Sequence, residues 1–322
     1  GSLSEHTKEQ IFWLKKHDLL SGNIRLLDVG CFDGGFLAQL PGNIIKIGVD
    51  IDKPAIERGQ EKFKSHNIKF YHGDFETFNY NEDAPDTITM YHVLEHLPRP
   101  IKVLEKLREI SKKGTKLVVE VPVLDNGNTN DIHGFFTVQH TTHFSRASLR
   151  NCLLKAGWEV MFDFQTKDYN GYRVLAEPLD STSFDSVCRV EKRDWADIYD
   201  SLTSWHNSIY EVEKRIKILE GYDKLVIWGA GAHTEYLHQL TSLFHGGNDQ
   251  SFIIVDSDNL KQGGTWRGID IHDPKILHGL NWEDKRLLIS TYGSQDTVES
   301  VALSLDIPKD CIFKLYDSIR RY

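Results

Sequence analysis

The apolar residues in the first half of the chain follow two alternating patterns. Short runs typical of β-strands, each bounded by Gly, Asp, Asn or Pro, lie at residues 24–29, 44–50, 68–71, 86–90 and 116–121. Helical patterns lie between several of these runs, notably at 53–66 and 100–112. This alternation predicts a parallel sheet covered by helices. Two later runs, 158–164 and 172–177, follow a helical stretch at 146–156 and predict an antiparallel hairpin at one edge of that sheet.

A polar, irregular segment at 178–190 separates this pattern from a long helical one. The apolar positions of the long helix recur at spacings of three and four: Trp195, Ile198, Leu202, Trp205, Ile209, Val212, Ile216 and Leu219. A heptad seam of this kind either packs between the chain's own domains or pairs with a second copy as a dimeric coiled coil. The sequence leaves both interpretations open.

A second strand–glycine–helix pattern begins at Lys224, where a strand-like run leads directly into Gly229-Ala230-Gly231. Further strand-like runs lie at 252–255 and 286–290. We therefore predict an α/β protein with two Rossmann-like domains. The predicted boundaries are 1–177 for the first domain, 178–222 for the linker and long helix, and 223–322 for the second, smaller domain.

Composition and charge exclude several classes of protein. The 322 residues carry 38 Lys and Arg against 47 Asp and Glu, and the net charge of −9 argues against a broad surface for nucleic acids or anionic membranes. No apolar stretch reaches the roughly 18 residues of a membrane span, and the amino terminus shows no signal-peptide pattern. The four cysteines, which form no CxxC pair, argue against a zinc or disulfide framework and favour a reducing cytoplasm.

The first glycine loop lies where a predicted strand ends and a helix begins, which is the usual ligand site of an open α/β sheet. Its Gly30 and Gly34 are four positions apart with Phe32 between them, so the loop does not match the G-x-G-x-x-G of dinucleotide sites. Asp50 closes the next strand and can accept hydrogen bonds from both hydroxyls of a ribose, or act as a charge at a helix N-terminus. Asp52 is the predicted N-cap of the following helix.

Four segments, in the order LLDVGCFDGGFL, GVDID, HGDFETF and DTITMYHVLEHLPRP, resemble the motif series of class I S-adenosylmethionine-dependent methyltransferases. The resemblance covers about residues 24–177. It implies that S-adenosylmethionine is the cofactor, that the glycine turn contacts its methionine part, and that Asp50 binds its ribose. It also implies that Asp74 and Phe75 flank the adenine. The cofactor-binding residues implied in this way are Asp28, Gly30, Cys31, Phe32, Asp33, Gly34, Asp50, Ile51, Asp74, Phe75 and Tyr91.

The last of these segments contains His92-x-x-Glu95-His96, which also matches the H-x-x-E-H pattern of a class of zinc proteases. That chemistry requires both histidines on one helix face and a third ligand further along the chain. Because the run follows a strand within the methyltransferase motif series, we interpret Glu95 and His96 as helix-start residues beside the cleft. Tyr91 and His92 are interpreted as residues that line it.

The segment after the fifth strand is rich in candidates for a methyl acceptor site. Methyl transfer from a sulfonium requires an aligned acceptor and, for a hydroxyl or carbon, a base that removes its proton. We predict His140 as this base, with His143, His92 and Tyr91 as further catalytic residues. For His143 the alternative is a structural role under the loop. A metal site formed by Asp131, His133, His140 and His143 is a further alternative, and no metal ion is predicted.

The segments KLVIWGAGAHTEYL, FIIVDSDNLKQGGTWRGIDIHDPKIL and RLLISTYGS resemble the carboxy-terminal domain of sugar C-methyltransferases, which methylate nucleotide-linked deoxysugars. This implies a sugar, nucleotide-sugar or glycan acceptor, in surface-polysaccharide or natural-product biosynthesis. The amino-terminal zinc module of that family has no counterpart in this sequence. The family's Glu-His pair is replaced by Gln139-His140, and because glutamine cannot accept a proton, O-methylation becomes an alternative to C-methylation.

The second glycine loop leaves other classes of function open. Gly229, Gly231 and Asp256 fit part of a dinucleotide fingerprint, with Thr234 at the third glycine position, which allows a nicotinamide-dependent oxidoreductase. The domain could instead hold the nucleotide part of a sugar nucleotide, with His233 and Glu235 at its cleft. A non-catalytic scaffold that dimerises through the long helix is a third alternative. The predicted partner is a small-molecule sugar or glycan acceptor, without nucleic acid, and pairing with a second copy of the chain is left open.

Overall fold

The chain divides into two compact units. The computed structural model describes residues 5–126, 130–132, 136–137, 139–165, 171–179, 194–245 and 251–319. The first unit comprises Gly1–Asn126 and Val138–Asp197, and the second comprises Gly127–Thr137 and Ile198–Tyr322. The segment 127–137, which the predicted boundaries place in the first domain, is thus grouped with the second unit.

The first unit is built on a seven-stranded sheet in the order β3-β2-β1-β4-β5-β7-β6. The strands are β1 (Arg25–Val29), β2 (Ile45–Asp50), β3 (Ile68–His72), β4 (Thr87–Tyr91), β5 (Lys116–Pro122), β6 (Trp158–Phe164) and β7 (Gly171–Pro178). β1 to β5 run parallel, whereas β7 pairs antiparallel with both β5 and β6. This pairing confirms the predicted parallel sheet and its edge hairpin. β1, β4 and β5 form the nearly continuous buried runs that a covered parallel sheet requires.

The described part of this unit contains the helices α1 (Glu5–Lys16), α2 (Lys53–Lys62), α3 (Pro100–Glu109) and α4 (Arg146–Lys155). α2 begins after Asp52, whose side chain accepts a hydrogen bond from the amide of Ala55 at 3.0 Å, so the predicted N-cap is confirmed. α1 was not predicted. Its Ile11, Trp13 and Leu14 are buried in the core, which fixes the helix against the unit.

The second unit contains a six-stranded sheet in the order β10-β11-β9-β8-β12-β13. Its strands are β8 (Lys224–Trp228), β9 (Ser251–Val255), β10 (Thr265–Trp266), β11 (Ile269–His272), β12 (Lys285–Ile289) and β13 (Ile312–Lys314). Only β10 pairs antiparallel with its neighbour in this sheet; the other pairs are parallel. The helices α6 (Ala232–Leu240) and α7 (Gln295–Ser304) follow β8 and β12. A second, smaller α/β sheet confirms the predicted fold class.

The long predicted helix is α5 (Asp194–Ile216), of which Ile198 onwards belongs to the second unit. At its end, Val212 and Ile216 are buried in the core of that unit. Trp195 and Leu202, earlier on the same seam, are exposed. The heptad seam is therefore covered over its last part, and its first part stays open to either of the two predicted packing arrangements.

Within the described residues, no helix combines the length and the apolar character that crossing a lipid bilayer would require.

Candidate active site

The glycine loop after β1 is shaped by two glycines that no other residue could replace without strain. Gly30 has φ +77°, and a Cβ atom there would lie 2.2 Å from Cγ2 of Val93. Gly34 has φ +75°, and its Cβ would lie 2.4 Å from Cζ of Phe70. Both positions thus require a residue that lacks Cβ and tolerates a left-handed backbone. The loop lies at the carboxyl ends of β1 and β2, where open α/β sheets bind their ligands.

Asp50, at the end of β2, fastens this loop. Its Oδ2 accepts a hydrogen bond from the amide of Phe32 at 2.7 Å, and its Oδ1 accepts one from the amide of Asp52 at 2.8 Å. Each carboxylate oxygen has a second acceptor position, so the pair can also receive two ribose hydroxyls. Phe32 and Ile51, which flank the carboxylate, are 55% and 69% exposed. The two apolar side chains therefore offer contact surface beside the acceptor oxygens.

The other candidate residues of the loop lie deeper. Asp28 is buried and accepts a hydrogen bond from the hydroxyl of Thr89 at 2.7 Å. Burial raises the pKa of Asp28 to about 7, with the nearby charge of Asp50 adding to the rise and the Thr89 hydrogen bond opposing it. Cys31 is buried against Gly48, and burial also raises the pKa of its thiol. Asp28 and Cys31 therefore stabilise the glycine loop from its buried side.

Asp33, Asp74 and Phe75, also predicted to bind the cofactor, differ in their hydrogen bonds and in their exposure. Asp33 accepts hydrogen bonds from the amide of Gly35 at 3.0 Å and from Nζ of Lys62 at 2.9 Å, so its carboxylate holds the turn together. Asp74 is exposed at the end of β3 and accepts a hydrogen bond from the next turn. Phe75, by contrast, is 5% exposed and belongs to the hydrophobic core. Its ring therefore presents almost no surface to an adenine.

Tyr91 ends β4 with its ring against Phe36, at a centroid distance of 5.4 Å, and 5.6 Å from the guanidinium carbon of Arg173. Its hydroxyl is buried and has no hydrogen-bond partner among the described residues. Burial raises the pKa of this phenol well above its usual value, so the hydroxyl keeps its proton. A buried donor without a partner is rare in proteins, and beside the glycine loop it is suited to a bound ligand.

His92 lies between two buried carboxylates. Its Nδ1 is 3.2 Å from Oε1 of Glu95, and its Nε2 is 3.1 Å from Oε1 of Glu120. Burial by itself lowers the pKa of His92, but the hydrogen bonds to Glu120 and Glu95 outweigh it and raise the pKa to about 9. The ring is therefore an imidazolium at neutral pH that donates from both nitrogens. The predicted place of His92 in the cleft stays a prediction, and because an imidazolium has no lone pair to accept a proton, His92 would act there as a hydrogen-bond donor.

A charged row across the sheet escaped the sequence analysis. Glu120 on β5 pairs in register with Tyr91 on β4 and with Arg173 on β7. Nε of Arg173 lies 2.5 Å from Oε2 of Glu120, and its Nη2 lies 2.7 Å from Oε2 of Glu9 on α1. His6, also on α1, lies 2.9 Å from Oε1 of Glu120. The sequence does contain a signal for this row, a charged residue inside each of two apolar strand runs. In the strand pattern alone, such a residue is only an interruption of the apolar run.

The pKa values of this row follow from its pairing. Burial would raise the pKa of Glu120, but hydrogen bonds with His6 and His92 and the charge of Arg173 hold it well below its usual value. Burial lowers the pKa of Arg173, and the charge of Glu120 and the hydrogen bond to Glu9 raise it again, so the guanidinium stays charged. Glu120 and Arg173 therefore both stay charged, next to the end of β4.

The loop that carries His140 and His143 lies against the turn Leu94–His96. The amide of Thr142 donates to the carbonyl of Glu95 at 3.0 Å, and Nδ1 of His96 lies 2.9 Å from the carbonyl of Gln139. The ring of His140 is 5.0 Å from that of His96 and 6.2 Å from that of His143, measured between centroids. Three histidines and the buried carboxyl of Glu95 therefore meet at one place.

This geometry bears on both predicted alternatives that involve a metal ion, the zinc-protease pattern and the site around His140. Leu94–His96 forms a single 3-10 turn ahead of α3, and His92 precedes it, so the histidines of the H-x-x-E-H run do not share the face of an α-helix. The protease interpretation is not supported by this arrangement. For the alternative set around His140, His133 lies outside the described residues, and Asp131 belongs to the segment grouped with the second unit.

The second unit has its own cleft, of about 320 Å³, at the carboxyl ends of β8, β9 and β12. Asp256 accepts hydrogen bonds there from the amide of Ala230 at 2.8 Å and from Nζ of Lys261 at 3.1 Å. Thr234 is buried, and its hydroxyl donates to the carbonyl of Gly229 at 2.6 Å. His233, predicted at the cleft, lines it. The cleft thus combines a glycine turn with an ion pair.

Comparison with known proteins supports the class suggested by the first unit. Residues 6–161 match a protein-family profile described as "Methyltransferase domain". An uncharacterized methyltransferase of Mycobacterium tuberculosis is 32% identical over 106 residues, which are 32% of this chain and 54% of that protein. A demethylmenaquinone methyltransferase of Shouchella clausii is 27% identical over 124 residues, which are 36% of this chain and 52% of that protein. The chain thus spans about half the length of the curated relatives it matches.

Among solved structures, an S-adenosylmethionine-dependent methyltransferase from Clostridium acetobutylicum aligns with 56% of this chain and 94% of its own, at 11% identity and a TM-score of 0.46. The sheet order and the glycine loop define the first unit as an α/β domain of the class I methyltransferase type. Residues 6–161 match a methyltransferase domain, in agreement with the predicted class over that part of the chain.

Proposed function

We propose that the whole chain is an enzyme that transfers the methyl group of S-adenosylmethionine to a sugar, a nucleotide-linked sugar or a glycan. The observation that carries the proposal is the loop of Gly30 and Gly34, fastened by an Asp50 carboxylate that can still accept two hydroxyl hydrogen bonds. Carboxylates at this crevice suit a cofactor that carries a cationic sulfonium and an ammonium group. The reaction would serve surface-polysaccharide or natural-product biosynthesis.

The polar character of the second candidate region supports a hydroxylated acceptor. His140 and His143 lie beside the turn that carries Glu95 and His96, so imidazole and carboxylate groups converge next to β4. Methyl transfer is an in-line displacement in which the cofactor supplies the reactive carbon and its leaving group. The protein has to orient the acceptor and take its proton, and either of the two imidazoles is a suitable base. Imidazoles and polar loop residues are also hydrogen-bonding partners for sugar hydroxyls.

O-methylation is the form of the reaction that we favour. Gln139 stands where the sugar C-methyltransferases have a glutamate, and its amide cannot remove a proton from carbon. A sugar hydroxyl needs less help, because it is more acidic than a carbon–hydrogen bond and a histidine can assist its deprotonation.

The oxidoreductase alternative has weaker support. Asp256, which would hold the ribose of a nicotinamide cofactor, already accepts from Lys261 and from two backbone amides. Thr234 fills the position at which a dinucleotide fingerprint requires its third glycine. A lysine beside a glycine turn fits a phosphate better than a ribose, and we propose that this cleft holds the nucleotide phosphates of a sugar nucleotide.

Calorimetric titration of S-adenosylhomocysteine into wild type and Asp50→Asn tests the cofactor site. The variant should bind at least about tenfold more weakly, because it loses charge-assisted hydrogen bonds to the ribose worth about 1.5–3 kcal/mol each. Asp52→Asn is the matched control: it removes a neighbouring carboxylate but still caps α2, and it should bind as wild type does. Equal affinity of Asp50→Asn and wild type, with both folded by circular dichroism, would refute the assignment. Radiolabelled methyl transfer to a panel of sugar nucleotides then tests the acceptor class.

A further inference from the structure

The carboxyl group of Glu95 is buried and only half satisfied. The residue is 1% exposed. Its Oε1 accepts a hydrogen bond from Nδ1 of His92 at 3.2 Å, whereas its Oε2 has no partner among the described residues. Leaving a buried acceptor unpaired is unfavourable, and more so when the group is charged. A position with this cost points to a partner that binds there.

His96 directs a second acceptor toward the carboxyl group of Glu95. Its Nδ1 lies 2.9 Å from the carbonyl oxygen of Gln139, and since a carbonyl can only accept, Nδ1 carries the proton. In a neutral ring the lone pair then resides on Nε2, which lies 3.9 Å from Oε1 of Glu95. A backbone carbonyl that fixes the tautomer in this way is typical of histidines that ligate metals. Two acceptors that face one another are stabilised by a cation between them.

His140 completes a set of three ligands. The ligand atoms of Glu95, His96 and His140 all lie within 4.8 Å of one another. The loop that carries His140 is held in place by the amide of Thr142, which donates to the carbonyl of Glu95, and by its hydroxyl, which donates to the carbonyl of Leu97 at 2.9 Å. Two imidazoles and one carboxylate suit a borderline divalent ion such as Zn²⁺ or Mn²⁺ and leave coordination positions open for a substrate.

A second cluster of metal-ligating groups, His6, His92 and Glu120, is less suited to a cation. Both oxygens of Glu120 are already engaged, Oε1 by the two imidazoles and Oε2 by Arg173. The guanidinium of Arg173 would also repel a divalent ion so close by. Glu95, by contrast, keeps one oxygen open: among the described residues its Oε1 accepts from the His92 imidazolium, and its Oε2 has no partner.

We propose that Glu95, His96 and His140 bind a divalent transition-metal ion that coordinates the acceptor hydroxyl. This inference rests on the proposed methyl transfer and deepens it, since a metal-bound hydroxyl loses its proton more readily. His143 is then the neighbouring base. The hydroxyl proton passes to the base and the new O–CH₃ bond forms as the S–CH₃ bond breaks. The electron pair of that bond remains on sulfur, which gives a methyl ether and S-adenosylhomocysteine.

The test is calorimetric titration of Zn²⁺ and Mn²⁺ into tag-free protein that has been stripped with a chelator. We expect about one ion per chain, bound at least about tenfold more weakly by His96→Ala and by His140→Ala. His96 is largely a surface side chain, so its variant keeps the fold even if a change at the buried Glu95 does not. His66→Ala, which removes an exposed histidine after α2, is the matched control and should bind as wild type does.

Three outcomes would overturn the proposal: no stoichiometric binding, binding that survives both His96→Ala and His140→Ala, or binding that His6→Ala abolishes. The last would place the ion at the Glu120 cluster instead. Titration of S-adenosylhomocysteine into the same stripped protein separates this failure from that of the proposed function. If the cofactor product binds and the metal does not, the methyltransferase assignment stands without a metal.

Discussion

The Asp28 carboxyl makes stability depend on pH in an unusual direction. Burial raises its pKa to about 7 in the folded chain, from 3.8 for the free side chain. A carboxyl with a raised pKa in the folded state binds its proton more tightly there than in the unfolded chain. Its contribution to the free energy of unfolding is therefore lost as the pH rises from about 4 to about 7, and stays constant above that range.

Asp28→Asn should remove this dependence, because an amide does not titrate and its carbonyl can still accept from Thr89. We expect the stability of the variant relative to wild type to increase by about 2–3 kcal/mol between pH 5 and pH 8. Urea unfolding of both proteins at the two pH values measures it. Asp33→Asn, a change at a less buried carboxylate in the loop that follows β1, serves as control. A relative stability of Asp28→Asn that does not change with pH would contradict the raised pKa.

At the residue scale, the sequence predicted where a residue lies in the fold better than which groups surround its side chain. Asp50 and the glycine loop were placed correctly at the ends of β1 and β2, because strand ends and glycine spacing are local properties. The protonation state of His92 was not predictable, since it depends on Glu120, which is distant in sequence and comes close only through strand pairing. Phe75 was predicted beside an adenine, but apolar character alone does not separate a core ring from a ligand contact.

Arg173 connects three elements of the first unit. It lies on β7, and its guanidinium binds Glu120 on β5 and Glu9 on α1 while its own exposure is 1%. Removing one partner of a buried pair leaves the other charge uncompensated, which typically costs about 3–5 kcal/mol. Arg173→Met should therefore lower the free energy of unfolding by that amount.

Urea unfolding provides the measurement, and Arg150→Met provides the matched control. Arg150 pairs with Asp163 at the surface, where such pairs contribute at most about 1 kcal/mol. The double variant Glu120→Gln with Arg173→Met should lose clearly less stability than the sum of the two single changes, because the stranded charge is gone. Additive losses would mean that the two side chains are not coupled.

At the element scale, the strands of the first sheet were predictable because buried parallel strands give continuous apolar runs. α1 was missed, although it contributes Trp13 and Leu14 to the core. It is attached through His6 and Glu9, whose partners on β5 and β7 cannot be recognised from local periodicity. β10, with two residues, is too short for any periodic pattern to register. Tertiary contacts define such elements more than their own sequence does.

The two units have separate hydrophobic cores. Every buried member of the two clusters around β1 to β7 belongs to the first unit, and every buried member of the other two clusters belongs to the second. Ile132 is included in a core of the second unit, although it lies between two parts of the first in sequence. Domain boundaries predicted as single cuts in the chain could not reproduce this interleaving.

Separate cores predict that a ligand of the first unit protects that unit alone. S-adenosylhomocysteine at a hundred times its dissociation constant should stabilise the state that binds it by about 2.7 kcal/mol. Under native conditions, the slowest amide protons of β1, β2 and β4 should then exchange up to about a hundredfold more slowly, because their exchange requires the opening of the unit that binds the ligand. Those of β8, β9 and β12 should keep their rates. Hydrogen exchange followed by mass spectrometry, with and without the ligand, resolves the two sets of strands.

Asp50→Asn at the same ligand concentration is the control, since it should lose most of the protection in β1 and β2. Slowing of equal size in β8 and β12 would contradict independent opening, because a ligand can protect the second unit only if the two unfold as one cooperative body. The result therefore bears on more than cofactor binding. It decides whether substitutions that weaken one core, such as Arg173→Met, leave the stability of the other unit unchanged.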